Sequence, residues 1–195
     1  MRLAREEDSA GRKVRADAER NRERLLQAAK IAFSAKGSAA SLEEIAREAG
    51  VGIGTLYRHF PTRDALIEAV YRNEAGQLFA AAEQFAAKLP PAEALRQWLL
   101  VSVDYLATKR GMSEALNSLV GGTSKLYEAS STRLKEVSAM LVGNAIASGD
   151  IQLDTEPLDL LRALAGVATL SPGPSSTEAA KRFVDILMAG ISTRT

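Results

Sequence analysis

Apolar positions along the chain recur with helical rather than alternating spacing. Leu25, Ala28, Ala29, Ala32 and Phe33 make the first stripe, in a helix expected from near Glu19 to a stop at Gly37. Ser41 and Glu44 have the spacing of a capping box, so a second, short helix follows and ends at Gly50. A third starts at Gly52–Ile53 and stops at Phe60–Pro61, because proline disfavours helix in the residue before it. Thr62 then caps a long helix to Leu89, with Asp64 in its first turn and Leu66, Ala69 and Val70 inward. Beyond Pro90–Pro91, helices are expected over about 92–109, 112–120, 123–148, 157–170 and 177–191. No strand pattern and no fixed repeat appears. The chain reads as all-α with about nine helices: a basic arm over 1–18, disordered without a partner, a three-helix module over 19–61, and a larger bundle over 62–195.

Composition narrows the chemistry. The 195 residues are 46% apolar and 25% charged, which suits a globular chain with a sizeable core. There is no cysteine, so disulfides, thiolate nucleophiles and cysteine zinc sites are excluded. His59 is the only histidine and no paired acids stand at catalytic spacing, so neither a metal, a cofactor nor an enzyme is expected. No apolar run approaches the roughly 20 residues of a membrane span, and the N-terminus is charged, so the expected location is the cytoplasm. Net charge is only +1, but residues 11–24 hold Arg12, Lys13, Arg15, Arg20, Arg22 and Arg24 against three acids. Such a run either tracks a phosphate backbone or is a solvated terminus.

The stretch "AGVGIGTLYRHF", residues 49–60, sets glycine at 50, 52 and 54. A dinucleotide site needs a strand before Gly-x-Gly-x-x-Gly, and here a capped helix precedes the wrong spacing. Two short helices joined by a tight glycine turn instead make a helix-turn-helix, whose second helix enters the major groove. Ile45, Val51 and Leu56 form its small core, and Ala46 lets the helices approach. Ile53, Gly54, Thr55, Tyr57, Arg58 and His59 are left to be shared between core and DNA surface. Ile53 suits a thymine methyl, the glycines a close backbone approach, and Tyr57 and His59 phosphates. The plain alternatives are a helix-start hydroxyl at Thr55, packing of Tyr57 on the first helix and a solvated His59. Arg63, at the next helix start, either holds a phosphate or pairs with Asp64 or Glu68.

These residues resemble a known family. "SLEEIAREAGVGIGTLYRHFPTRDALIEAV", with "LLQAAKIAFSAKG" before it, is similar to the DNA-binding segment of TetR-family transcriptional regulators over about residues 20–72. The matching elements are Ile45-Ala46, Ala49-Gly50-Val51, Gly54-Thr55-Leu56-Tyr57, His59-Phe60 and Arg63-x-x-Leu66. The resemblance implies an Ω-shaped homodimer, double-stranded operator DNA as partner, a C-terminal bundle for a small molecule, and a dimer contact through the last two helices. By position it sets the DNA contacts on Thr55, Tyr57 and His59, and the phosphate cation on Arg63. Glu43 falls where a polar base contact is supplied, and an acid there accepts from cytosine or repels phosphate.

In the bundle, Trp98, Ser102 and Tyr105 share one helical face, with Leu116 and Asn117 on a short helix between glycines, and Tyr127 and Val137 placed to face them. Apolar walls with a few hydroxyls suit a small, largely uncharged, apolar or aromatic effector. The alternative is a plain core anchored by Trp98. The stripes Leu161, Leu164, Ala168 and Phe183, Leu187, Gly190 hold more apolar surface than one contact hides, so a twofold dimer is expected through them. The function expected is a ligand-released repressor on a palindromic operator. An architectural DNA-binding protein without ligand control is the alternative.

Overall fold

The computed structural model describes residues 2–169 and 174–193, with side chains over 15–168 and 175–193. The helices fall where the apolar stripes place them: α1 Arg2–Lys36, α2 Leu42–Glu48, α3 Ile53–His59, α4 Arg63–Lys88, α5 Pro91–Gly111, α6 Ser113–Asn117, α7 Ser124–Ala147, α8 Pro157–Thr169 and α9 Pro174–Ile191. A short 3-10 turn, Gly37–Ala39, joins α1 to α2. Among the described residues the only sheet-like pairing is the single bridge Ile151–Ser192.

Caps explain the ends. Thr62 Oγ1 accepts the Ala65 amide at 3.0 Å and opens α4. Ser41 Oγ accepts the Glu44 amide at 3.4 Å, but the reciprocal half of the capping box is absent. Glu44 turns instead to Lys36 at 2.6 Å, because an ammonium group is the stronger donor for a carboxylate. Gly37 and Gly50 both have left-handed φ, +53° and +67°, and end α1 and α2 as glycine does best. α1 departs from expectation at its start: it begins at Arg2 rather than near Glu19. Residues 2–18 contain no proline and are rich in Ala, Arg and Glu, so nothing breaks the helix, and Arg20 pairs with Asp17 one turn back. Met1 and the side chains of Arg12 and Lys13 lie outside the described residues.

The chain divides into two compact units. The first takes its described residues from Met1–Tyr71 and Gly111–Gly121. The boundary after residue 61 expected from helix lengths therefore moves to Tyr71, because the first turns of α4 bury Leu66, Ile67 and Val70. The core of this unit is Leu25, Ala29, Phe33, Ile45, Leu56 and Phe60, with α1 against α2 and α2 against α3. The short α6 belongs here, packed on the 3-10 turn, with Met112, Ala115 and Leu116 buried. Gly37 is doubly required at that contact: besides its φ, a Cβ there would lie 2.0 Å from Glu114 Oε2 and 2.8 Å from Glu114 Cβ. The Val120 amide donates to Asp64 at 3.0 Å, tying the end of this segment to the start of α4.

The second unit, Arg72–Arg110 with the described part of Gly122–Thr195, is built around Trp98. Leu78, Leu95, Leu99, Val137, Leu141 and Leu164 belong to the same buried cluster. α8 packs on both α7 and α9. The end of α9 is pinned by Gln152 N to Ile191 O at 2.9 Å and Thr193 Oγ1 to Gly149 O at 2.6 Å.

Candidate nucleic-acid interface and effector region

α3 is anchored by one residue and open elsewhere. Leu56 is fully buried, while Ile53, Gly54, Tyr57 and Arg58 are exposed and Thr55 and His59 half-buried. At i, i+1, i+4 and i+5, the exposed four share one helical face. That face is a flat strip of isoleucine, bare backbone, phenol and guanidinium. Tyr57 is 46% exposed and Ile53 37%. A Cβ added at Gly52 or Gly54 meets nothing within 4 Å, so packing inside the chain does not require glycine at either. A glycine inside an exposed helix costs about 1 kcal/mol against alanine. Glu43 is exposed on α2, and the hydrogen bond from the Ser41 hydroxyl at 2.8 Å holds its carboxyl below the usual range. It therefore stays anionic.

Arg63 corrects the sequence expectation. Its Nη1 donates to Ala40 O at 2.6 Å and its Nη2 to Ser38 O at 2.7 Å, with the guanidinium 5.2 Å from the Phe33 ring centroid. These are backbone partners within the chain that the sequence reading did not set. It is a brace that holds the turn between α1 and α2 to the start of α4. The planar fork of arginine, matched to two carbonyls, is the physical reason. Two other cations stand nearer the recognition helix than expected. Arg22 lies 5.6 Å from the Phe60 ring at the end of α3, and Arg24 Nη1 is 3.4 Å from the Cβ position of Gly50 in the turn. Both belong to the basic run 11–24 and lie in the part of α1 that the apolar stripe already sets in a helix.

The residues expected to line one effector pocket are divided between the two units. Leu116 is buried and Asn117 exposed in the first unit, while Trp98, Ser102 and Val137 are core members of the second. Trp98 is 1% exposed, and its Nε1 donates to Leu78 O at 3.1 Å. The Ser102 hydroxyl returns to Trp98 O at 2.8 Å. These polar groups are satisfied internally, as buried ones must be. Tyr105 and Tyr127 are half-buried, and Lys109 Nζ stands 4.3 Å above the Tyr127 ring, a cation the sequence reading did not set there.

Of the expected dimer stripe, Leu161, Leu164 and Ala168 are buried within the subunit. Phe183 and Leu187 are half-buried and Gly190 exposed. The outward small or apolar positions are Ala163 and Gly166 on α8 and Ile186, Ala189 and Gly190 on α9, with Ile186 66% exposed. Ile186 was legible as the residue three beyond Phe183 and four before Gly190.

Comparison with known proteins agrees with this geometry. The profile described as "Bacterial regulatory proteins, tetR family" matches residues 25–70, and that of the "Transcriptional regulator SbtR-like, C-terminal domain" matches residues 90–193. The crystal structure of the TetR transcriptional regulator SCO0520 from Streptomyces coelicolor is 44% identical, with a TM-score of 0.81 over 89% of this chain and 99% of that one. A TetR transcription regulatory protein from Mycobacterium vanbaalenii is 30% identical, with a TM-score of 0.75 over 92% and 99%. The HTH-type transcriptional regulator SrpR of Pseudomonas putida is 45% identical over 60 residues, 30% of this chain. The chain spans 28% of SrpR's length and 41% of that of a Staphylococcus aureus HTH-type regulator. Among the described residues no helix is long and apolar enough to cross a membrane. The exposed α3 face, the glycine turn before it and these matches lead to one conclusion: the chain belongs to the TetR family of DNA-binding transcriptional regulators.

Proposed function

We propose that the protein is a cytoplasmic repressor that holds a palindromic operator as a homodimer and leaves it when a small aromatic molecule binds. The observation that carries this reading is α6. It packs with the DNA-binding module, through Glu114 against Gly37 and Val120 against Asp64, while its chain neighbours α5 and α7 belong to the other unit. A molecule held near Tyr105, Lys109 and Tyr127, on α5 and α7, therefore pulls on a segment seated against the 3-10 turn and the start of α4. α4 itself is continuous from Arg63 to Lys88, about 40 Å at 1.5 Å per residue. A small tilt at one end displaces the other by several ångströms, enough to spoil the ~34–36 Å spacing that two recognition helices need. Tyr57, Thr55 and His59, with Arg22 and Arg24 at the ends of α3, are the proposed DNA contacts, and Ile53 the proposed apolar base contact.

The test is reciprocity. A thermal-shift screen of aromatic metabolites identifies the effector, which is then titrated with and without saturating DNA retained from genomic fragments. The effector is expected to bind more weakly in the presence of DNA, and DNA more weakly with effector, by the same factor. Equal effector affinity in both conditions contradicts the mechanism.

The dimer is proposed through Ala163 and Gly166 of α8 and Ile186, Ala189 and Gly190 of α9, where small residues permit close helix approach. Ile186→Glu is expected to give a monomer at micromolar concentration with an unchanged circular dichroism spectrum, because the side chain is exposed within the subunit. A dimer undisturbed by that substitution, read by sedimentation, excludes this contact.

A further inference from the structure

The DNA-binding module has a second apolar surface that the recognition helix does not use. Ala28, Ala32 and Ala35 of α1 and Ile45 of α2 floor a groove of about 270 Å³. Ile31 stands at its edge, 61% exposed, the most exposed large aliphatic side chain described in α1 through α5. Around the rim are Lys36 and Glu44, paired at 2.6 Å, and Arg47 and Glu48, both exposed at the end of α2.

We propose that this groove is a contact between the DNA-binding modules of two copies of this chain. The charge pattern selects the occupant. Two cations and two anions leave the rim neutral, which offers nothing to a nucleic acid and does not repel an identical patch. Arg47 and Glu48 are adjacent, so a twofold axis through the groove brings the arginine of each copy to the glutamate of the other. The shape is self-complementary in the same sense. One patch carries both a protruding branched side chain and a hollow floored by alanines, so each Ile31 enters the other copy's groove. A contact this small belongs to the transient class, below about 1,200 Å² in all. It adds to whatever contact forms the stable oligomer and lets neighbouring copies load cooperatively on DNA.

The experiment is sedimentation velocity of the full chain over roughly 1 to 100 µM, the range in which weak contacts form. The wild type is expected to show a component larger than its main species that grows with concentration. Ile31→Glu is expected to remove that component and leave the main species and the melting temperature unchanged, since the side chain is exposed. Arg47→Glu and Glu48→Arg are each expected to weaken it, and the double exchange Arg47→Glu with Glu48→Arg to restore it. Ile186→Glu, aimed at α8–α9, is expected to change the main species but not the pairing lost in Ile31→Glu, which keeps the two contacts distinguishable. A wild type whose sedimentation does not depend on concentration overturns the proposal. So does a growing component that survives Ile31→Glu, which assigns the association elsewhere and leaves the groove to a different protein or to none. Failure of the double exchange to restore what the single reversals remove also overturns it.

Discussion

Arg63→Ala is expected to cost about 2–3 kcal/mol of stability and to leave the salt dependence of DNA binding unchanged. The loss is that of two charge-assisted hydrogen bonds, to Ala40 O and Ser38 O, and of the contact over the Phe33 ring. Each such bond is worth ~1.5–3 kcal/mol when buried, and the exposed Ser38 carbonyl regains water, so the sum is discounted. Lysine reaches one carbonyl but not both, so Arg63→Lys is expected to recover only part of the loss. A phosphate-holding arginine behaves in the opposite way: its removal leaves the melting temperature in place and lowers the salt slope by about one unit per protomer. Thermal melts beside a salt-titrated binding assay separate the two. A lower slope at unchanged stability contradicts the brace.

Trp98→Ala is expected to be more damaging, about 3–5 kcal/mol, as for other buried large-to-small changes. Trp98 fills the centre of the second unit, and its removal also loses the indole N–H bond to Leu78 O. Trp98→Phe keeps most of the apolar contact and loses the hydrogen bond, so a smaller loss of about 1–3 kcal/mol is expected. Had the indole lined a ligand cavity, truncation would cost little stability and much affinity. Denaturant unfolding monitored by circular dichroism measures the difference. A Trp98→Ala chain as stable as the parent refutes the core assignment.

The sequence and the structure agree where local chemistry decides. Apolar spacing, Thr62, Gly37, Gly50 and the prolines at 61, 91 and 157 locate the helices because each acts within one turn of itself. The exposed face of α3 was legible only in part: with Leu56 inward, Ile53, Tyr57 and Arg58 remained to be shared between core and surface, and the structure exposes all three. What was not legible depends on residues far apart in the chain. Arg63 finds its carbonyls 23 and 25 residues earlier. α6 joins the first unit although its neighbours in sequence do not. The stripe Leu161, Leu164, Ala168 is equally apolar whether it faces α7 and α9 or a second subunit, and periodicity carries no label for the partner. Trp98 and Ser102 share a face in the sequence as a core pair does and as a pocket pair does.

The central claim is that the bare face of α3 exists to meet DNA. Gly54→Ala tests it most directly, because the added methyl meets nothing within 4 Å inside the chain. Alanine in place of a helical glycine is expected to hold or raise stability, by about 0.4–1 kcal/mol. On genomic fragments retained by the parent protein, the same variant is expected to bind roughly tenfold more weakly or worse, the equivalent of ~1.4 kcal/mol of lost contact. Weakened binding by a chain that melts no lower than its parent is the predicted result. Undiminished binding of those fragments by Gly54→Ala would contradict the account.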